Sequence, residues 1–336
     1  MVDHMPMGTY RDYTDLPDEV RGGAVAIGNF DGVHQGHWAV IGEAGRLNRD
    51  LDIPFGILTF EPHPRSVFQP DYPPFRLTPL HSKAIQIQKL GAQFMVAVPF
   101  DRDFASIGAE DFVRDILVKA LAVRQVVVGY DFVFGRGRTG NQDLLTRMSN
   151  DGGYGVTVVD GVTHGDPAEG GEIYASSRIR EYLRAGNPLP AADRLGRWWE
   201  ISGQVLPGDQ RGRRLGFPTA NIALHDHLEP ALGVYAVRIA IENENGETWH
   251  GGVANLGRRP TFDGKSTLLE VHIFDFADDI YDRDVRVAFL EFLRPERKFD
   301  VLDALKAQIA ADSEGARAVL ADPVYSDDRF PRRPGL

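Results

Sequence analysis

Cysteine is absent from all 336 residues. Without a thiol there is no disulfide and no thiolate metal site, and the chain suits a reducing compartment. An excess of positive charge is missing as well. Lys and Arg number 37 against 48 Asp and Glu, a formal net charge of −11. That balance argues against bulk binding to nucleic acid or to an anionic membrane, and any site for an anionic substrate must be locally basic. No apolar run approaches the ~20 residues of a membrane-spanning helix. The N-terminal stretch is polar and carries Asp12, Asp15, Asp18 and Glu19. It has neither the basic region nor the apolar core of a secretory signal. No Gly-x-x-x-x-Gly-Lys loop occurs, which disfavours P-loop chemistry. The expected setting is the cytoplasm, with no nucleic-acid and no membrane partner; oligomeric state is left open.

What is present is an ordinary globular composition, 43% hydrophobic, in a chain long enough for two domains. Its most distinctive stretch is Gly28-Asn29-Phe30-Asp31-Gly32-Val33-His34-Gln35-Gly36-His37. It follows a short apolar run, Ala24 to Ile27, and precedes a helical pattern. A glycine-rich turn between a strand and a helix N-terminus is a natural anion cradle, because free N–H groups and the positive end of the helix dipole converge there. Gly28, Gly32 and Gly36 allow close backbone approach. His34 and His37 share one face if the first turn is helical, and two imidazoles there can donate to a polyphosphate and its leaving group. A purely structural turn is the alternative. A metal site is another, although zinc would need a third ligand that the local sequence does not supply.

From residue 24 to about 185, short apolar runs alternate with helical patterns. Strands are expected over 24–28, 54–60, 94–99, 124–129 and 155–160, and helices near 37–50, 79–90, 109–121, 140–150 and from Ser176. Continuous apolar strands separated by helices predict a parallel sheet covered on both faces. Ligands of such sheets sit beyond the carboxyl ends of the strands, and the distinctive residues cluster there. Pro62-His63-Pro64 follows the second strand and reads as a stiff turn. The stretch from Gly129 to Arg138, including Asp131 and Phe132, follows the fourth. Its aromatic residues can stack on a flat ring and its arginines can meet phosphates, or it is a glycine-rich loop with a solvated basic edge. Ser176-Ser177 precedes a helical pattern and reads first as an N-cap.

Gly186, Pro188 and Pro190 mark a helix end and a linker, 187–199, between a first domain of 1–186 and a second of 200–325. Trp198-Trp199 is expected in a domain seam or a core. Past Glu200 the pattern changes to short strands at 200–206, 232–242, 247–255, 267–275 and 284–293, with Asn245-Gly246 as a hairpin signal. This predicts an antiparallel barrel with a terminal helix over about 300–320. The stretch Gly212-Arg213-Arg214-Leu215-Gly216-Phe217-Pro218-Thr219-Ala220-Asn221 is either a plain turn or a site. If extended, Thr219 and Asn221 offer neutral hard oxygens on one face, suited to a magnesium ion already neutralised by nucleotide phosphates. Alternation puts Glu270, His272 and Phe274 on one face and Leu269, Val271 and Ile273 on the other. With the apolar set facing the barrel core, Glu270 points outward.

The Gly28–His37 run resembles the signature of the nucleotidyltransferase superfamily, in the form found in prokaryotic bifunctional riboflavin kinase/FAD synthetases. Glu61-Pro62-His63-Pro64, Gly129 to Gly135, and the Ser176 to Arg180 segment fit the same family. So do Gly212 to Asn221, Leu269 to His272, Gly251 to Phe262 and Leu293 to Phe299. The resemblance spans roughly residues 22 to 322. The chain departs from it at three places: Ala175, the pair Trp198-Trp199, and Pro295 where an Asp is usual. The resemblance implies a Rossmann-like nucleotidyltransferase domain followed by a riboflavin-kinase barrel. It implies phosphorylation of riboflavin to FMN and adenylylation of FMN to FAD plus pyrophosphate, with flavin as substrate and product and ATP with Mg2+ as co-substrate. Residue by residue, it implies ATP contacts at Gly28, Asn29, Phe30, Gly36, Ser176, Ser177, Gly216 and Thr219. Flavin contacts are implied at Asp31, Pro62, His63, Pro64, Asp131, Phe132 and Arg294. Charge stabilisation falls to His34, His37 and Arg180, the general base is Glu270, and magnesium is held by Thr219 and Asn221. Three alternatives stand beside this: an adenylyltransferase whose barrel only binds flavin, a superfamily relative acting on another nucleotide, and a flavin-sensing module without catalysis.

Overall fold

The computed structural model describes residues 7–165, 171–207, 216–243, 246–261 and 264–331. The chain divides into two compact units. One comprises Met1–Pro73 and Thr78–Ala175; the other comprises Pro74–Leu77 and Ser176–Pro331.

The first unit is an α/β sandwich. Its strands are β1 (Gly8–Tyr10), β2 (Ala24–Ile27), β3 (Phe55–Glu61), β4 (Phe94–Pro99), β5 (Gln125–Gly129) and β6 (Gly155–Val159). They form one parallel sheet in the order β1-β4-β3-β2-β5-β6. All residues of β2, and Val126 to Val128 of β5, are buried, as strands covered on both faces must be. Two apolar layers flank the sheet. One gathers Val25, Ile27, Leu58, Val96 and Phe112. The other gathers Ala24, Ala26, Trp38, Ile41 and Ile57. Helix α1 (Gln35–Leu51) buries Trp38, Ile41, Ala44 and Gly45 at helical spacing against the second layer. Helices α2 (Pro64–Phe68), α3 (Leu80–Gln88), α4 (Arg102–Ala105), α5 (Ala109–Asp111, continued by π-helical turns over Phe112–Ala120) and α6 (Gln142–Gly152) complete it. A short hairpin, β7 (Thr163–His164) and β8 (Glu172–Ile173), follows. Chain order runs outward from β2 to β3 and β4 on one side and to β5 and β6 on the other. The loops after β2 and β5 therefore flank the switch point, where open α/β sheets bind ligands. The expected strands are all present. The edge strand β1, paired to β4, was not expected from the sequence.

The second unit is a closed antiparallel barrel. Its strands are β9 (Trp199–Leu206), β10 (Ala220–Ala223), β11 (Gly233–Asn243), β12 (Gly246–Thr261), β13 (Gly264–Ile273) and β14 (Asp284–Pro295). They follow one another around the barrel as β10-β13-β12-β11-β14-β9. Inward-facing Trp199, Ile201, Ile222, Val237, Ile239, Leu269, Val271, Val287 and Phe289 fill it. Leu77, from the short segment that joins this unit, lies in the same core, and Trp199 Nε1 donates to its carbonyl at 3.0 Å. Helix α7 (Ser176–Arg184) contributes Ile179 and Leu183. Residues 188–195, read from the sequence as linker, form helix α8 (Pro188–Leu195), with Pro188 in the first turn where a missing N–H costs nothing. Trp198 is buried against Tyr325 and Phe330. Helix α9 (Leu302–Ala321) packs Ala316 and Leu320 on the outer face of β11 and β12. Of the Asn245-Gly246 turn signal, Asn245 lies outside the described residues; Gly246 opens β12 at φ +111°.

One buried group in this unit has a fixed charge state. His227 is 3% exposed; its Nδ1 sits 2.9 Å from the Leu224 carbonyl, and its Nε2 accepts from Ser202 N–H at 3.3 Å. One nitrogen donates and the other accepts, so the ring is neutral. Burial away from solvent holds its pKa down at about 4.

Candidate active sites

In the first unit the loop from Gly28 to His34 is held in an uncommon backbone shape. Phe30 and Val33 adopt φ of +47° and +43°, and Gly32 adopts +93°. The two side-chain-bearing positions are strained there, and their burial in the apolar layer holds the strain. A polar brace fixes the loop further: Asp31 Oδ1 accepts from Thr78 N–H at 3.0 Å, and Gly32 N–H donates to Thr78 Oγ1 at 2.8 Å. Asp31 is only 3% exposed. The backbone N–H groups of Asn29, Phe30 and Gly36 meet no acceptor among the described residues. Successive unclaimed N–H groups at a helix N-terminus form an anion-binding concavity.

His34 is the N-cap of α1, its Nδ1 accepting from His37 N–H at 3.3 Å. The two imidazoles stack with centroids 3.6 Å apart, and Phe30 packs edge-on against His37. The expected shared face is therefore real, and the turn that produces it is the cap itself. A Cβ at Gly36 would lie 3.2 Å from the His34 ring and 3.0 Å from Tyr174 Cβ, so glycine keeps this corner open.

Five of the flavin-side candidates, Pro62, His63, Pro64, Asp131 and Phe132, follow β3 and β5. His63 caps α2, accepting from Arg65 N–H at 3.1 Å, and Pro64 occupies the first helical position. Pro62 is exposed. Asp131 is exposed at the end of β5, and Phe132 stacks on Phe134 with centroids 5.5 Å apart. Ser176 and Ser177 open α7, which clusters with the second unit. Arg180, one turn in, is buried; its Nε donates to the Phe75 carbonyl at 2.8 Å and its guanidinium lies over that ring.

In the second unit, strand register builds the site. Asn221 of β10 stands directly opposite Glu270 of β13, and Glu270 stands opposite Asn255 of β12. Directly opposed residues project to the same face with Cβ atoms ~5 Å apart, so the three form one row across three strands. Leu269 and Val271 face the barrel core, so the row faces out, as alternation predicts. Asn221 is 7% exposed, and its side chain bonds to no other described residue. Thr219 and Gly216 precede it, the latter at φ +89°. Pro218 is fastened to β13 through its carbonyl, 2.9 Å from His272 Nδ1, and Phe217 packs edge-on on the same imidazole. Glu296 approaches the row from β14: a Cβ at Gly257 would meet its carboxylate. Gly212 to Leu215 lie outside the described residues.

Arg294 stands apart from this row. Its guanidinium pairs with Asp312 of α9 through two contacts, 2.8 and 2.6 Å, and donates to the Pro295 carbonyl. Asn255, Lys83 and Thr78 were not singled out in the sequence. Asn255 became visible only through strand register, and the other two only through side chains reaching 46 and 54 positions back along the chain.

Among the described residues no group of three or more His, Asp or Glu gathers as a metal site, and no helix is long and apolar enough to cross a membrane. The sequence model of the FAD synthetase family matches residues 16–168, and that of the riboflavin kinase family matches residues 195–320. A bifunctional riboflavin kinase/FMN adenylyltransferase of Escherichia coli strain K12 is 40% identical over 296 residues, covering 88% of this chain and 92% of that protein. The protein of that name from Pseudomonas fluorescens is 39% identical over 321 residues, covering 95% and 100%. A crystal structure titled macrolide-efflux protein, from Streptococcus pneumoniae, superposes with a TM-score of 0.78 at 30% identity over 92% of this chain and 98% of that one. Two family models matched end to end, in the order of the two structural units, and relatives aligned across both, place this chain in the bifunctional riboflavin kinase/FMN adenylyltransferase family.

Proposed function

We infer that this chain is a transferase that carries out two consecutive ATP-dependent steps. Riboflavin is phosphorylated to FMN and ADP in the barrel unit, and FMN is adenylylated to FAD and pyrophosphate in the α/β unit. The observation that carries the reading is the presence of two independent phosphate-handling constellations. One is the braced loop with stacked His34 and His37; the other is the row of Asn221 and Glu270 beside Thr219. The alternative of a lone adenylyltransferase with an inert barrel loses ground, because both family models match and the aligned relatives are named for both activities.

In the kinase step the ribityl 5′-hydroxyl oxygen attacks the γ-phosphorus of ATP, and the bond to the ADP oxygen breaks. Glu270 accepts the hydroxyl proton; its place in the middle of the row sets it beside the nucleotide ligands. Magnesium fits here. Thr219 and Asn221 offer neutral oxygens suited to an ion that arrives with nucleotide phosphates, and the side chain of Asn221, 7% exposed, bonds to no other described residue. Held by these two residues, it would neutralise phosphate charge. Gly216 gives the backbone room to pass close to the nucleotide.

In the adenylylation step a phosphate oxygen of FMN attacks the α-phosphorus, and the bond to pyrophosphate breaks. FMN phosphate is already anionic, so no base is required. The site's task is to stabilise charge at the α-phosphorus and on the departing pyrophosphate. His34, His37 and the N-terminus of α1 supply donors fixed in advance of reaction. Gly28, Asn29, Phe30 and Gly36 line the nucleotide side. Ser176, Ser177 and Arg180 are assigned to the triphosphate on the family resemblance. Pro62, His63, Pro64, Asp131 and Phe132 are assigned to the flavin on the same ground. Asp31 joins them, with the brace to Thr78 as a second role. The test is chromatography of riboflavin, ATP and Mg2+ incubated with the purified chain. FMN followed by FAD is expected, and neither product would overturn the reading.

A further inference from the structure

Helix α3 buries a lysine where its apolar face would carry a leucine. Lys83 is 1% exposed, beside Ala84 and Ile87 of the apolar layer. A buried ammonium is costly unless its donors are paired. Its Nζ donates to the Asn29 carbonyl at 2.7 Å and to Thr59 Oγ1 at 3.3 Å. The Thr59 hydroxyl, itself fully buried on β3, donates to the same carbonyl at 3.3 Å. One peptide unit of the phosphate loop is thus held from below by two interior side chains from separate elements.

The consequence follows from peptide geometry. In a trans peptide the C=O and the next residue's N–H point in opposite directions. With Asn29 O drawn into the interior, the Phe30 N–H is turned to the outer side of the loop, where no described residue accepts it. The neighbouring Gly32 N–H is instead consumed by Thr78. Phe30 keeps a left-handed φ of +47° that a free loop would relax. Lys83 opposes that relaxation by holding the Asn29 carbonyl in the interior.

We propose that Lys83 is a positioning residue for adenylyl transfer, aiming the Phe30 N–H at the phosphates of ATP. The proposal rests on the adenylyltransferase reading of this loop. The test uses the full chain with FMN, ATP and Mg2+, and measures FAD formation and, in the same preparations, riboflavin phosphorylation. Lys83→Met is expected to lower kcat/KM for ATP by about a hundredfold, the effect of losing one oriented donor. KM for FMN and the kinase rate should stay within twofold of the parent. Lys83→Arg, which restores an N–H donor but not the lysine's geometry, should recover part of the loss. Thr59→Val removes the second grip on the Asn29 carbonyl and should give a smaller loss of the same kind. Lys83→Met with unaltered ATP kinetics overturns the proposal. Equal loss of ATP and FMN kinetics in Lys83→Met with no rescue by Arg also overturns it, because that marks a merely structural lysine. If Lys83→Met does not fold, Thr59→Val decides: unchanged ATP kinetics refute the proposal. A parent chain that makes no FAD refutes the adenylyltransferase reading instead.

Discussion

The two units hold their proposed phosphate-handling groups in place by different means. The α/β unit uses a loop. Its shape is unfavourable by itself, and three interior polar residues, Thr59, Thr78 and Lys83, impose it from outside the local sequence. The barrel uses register. Asn221, Glu270 and Asn255 align because three strands pair as they do, and a ladder of backbone hydrogen bonds fixes that alignment. The loop site therefore depends on particular side chains buried beneath it. The register site depends on the barrel staying closed.

The sharpest way to break the comparison is to remove the chemical group of one site and read both activities. Glu270→Gln keeps the shape and hydrogen-bonding span of the row but removes the proposed base. Riboflavin phosphorylation should fall by about 10²–10⁴-fold, with supplied FMN still converted to FAD. His37→Ala should do the converse, lowering FAD formation by about 10²–10³-fold while FMN still forms from riboflavin. Loss of both activities from either substitution would end the two-site account.

A smaller effect separates fastening from binding. Arg294 resembles a flavin contact in the sequence, yet its guanidinium is paired with Asp312, both groups being largely buried. Asp312→Ala leaves a buried cation short of its partner, a loss of roughly 3 kcal/mol or more in barrel stability. Denaturant unfolding followed by kinase inactivation measures it. A stable variant that binds riboflavin poorly would instead support Arg294 as a flavin contact.

Most of the architecture was legible because burial leaves a periodic trace. Strands β2 to β5 of the sheet are largely apolar runs, and five of the six barrel strands alternate. What escaped was short or long-range. β10 is only Ala-Asn-Ile-Ala, too brief and too rich in alanine to read as a strand, although it closes the barrel. α8 hid behind Pro188 and Pro190, which read as breakers but sit in a first turn where proline is tolerated. The histidine pair was legible because three-residue spacing is local. Lys83 was not, because an isolated lysine in an amphipathic helix reads as solvated until its partners 24 and 54 positions away are known. Asn255 was not, because register is a property of paired strands.

The smallest expected effect concerns acid. The barrel holds His227 neutral, with a pKa near 4 set by burial, against an ordinary value near 6.5. Between those values the unfolded chain binds a proton that the folded barrel refuses, so stability rises with pH across that window. The full contribution is present above pH 6.5 and drains away toward pH 4. Between pH 7 and pH 5 the loss from this one group is about 2 kcal/mol. Amide exchange of the barrel strands, compared at the two pH values, reads it directly. His227→Gln should flatten the dependence, because glutamine keeps a donor and an acceptor but takes up no proton. An undiminished slope in that variant would show that the barrel's acid sensitivity comes from groups other than this imidazole.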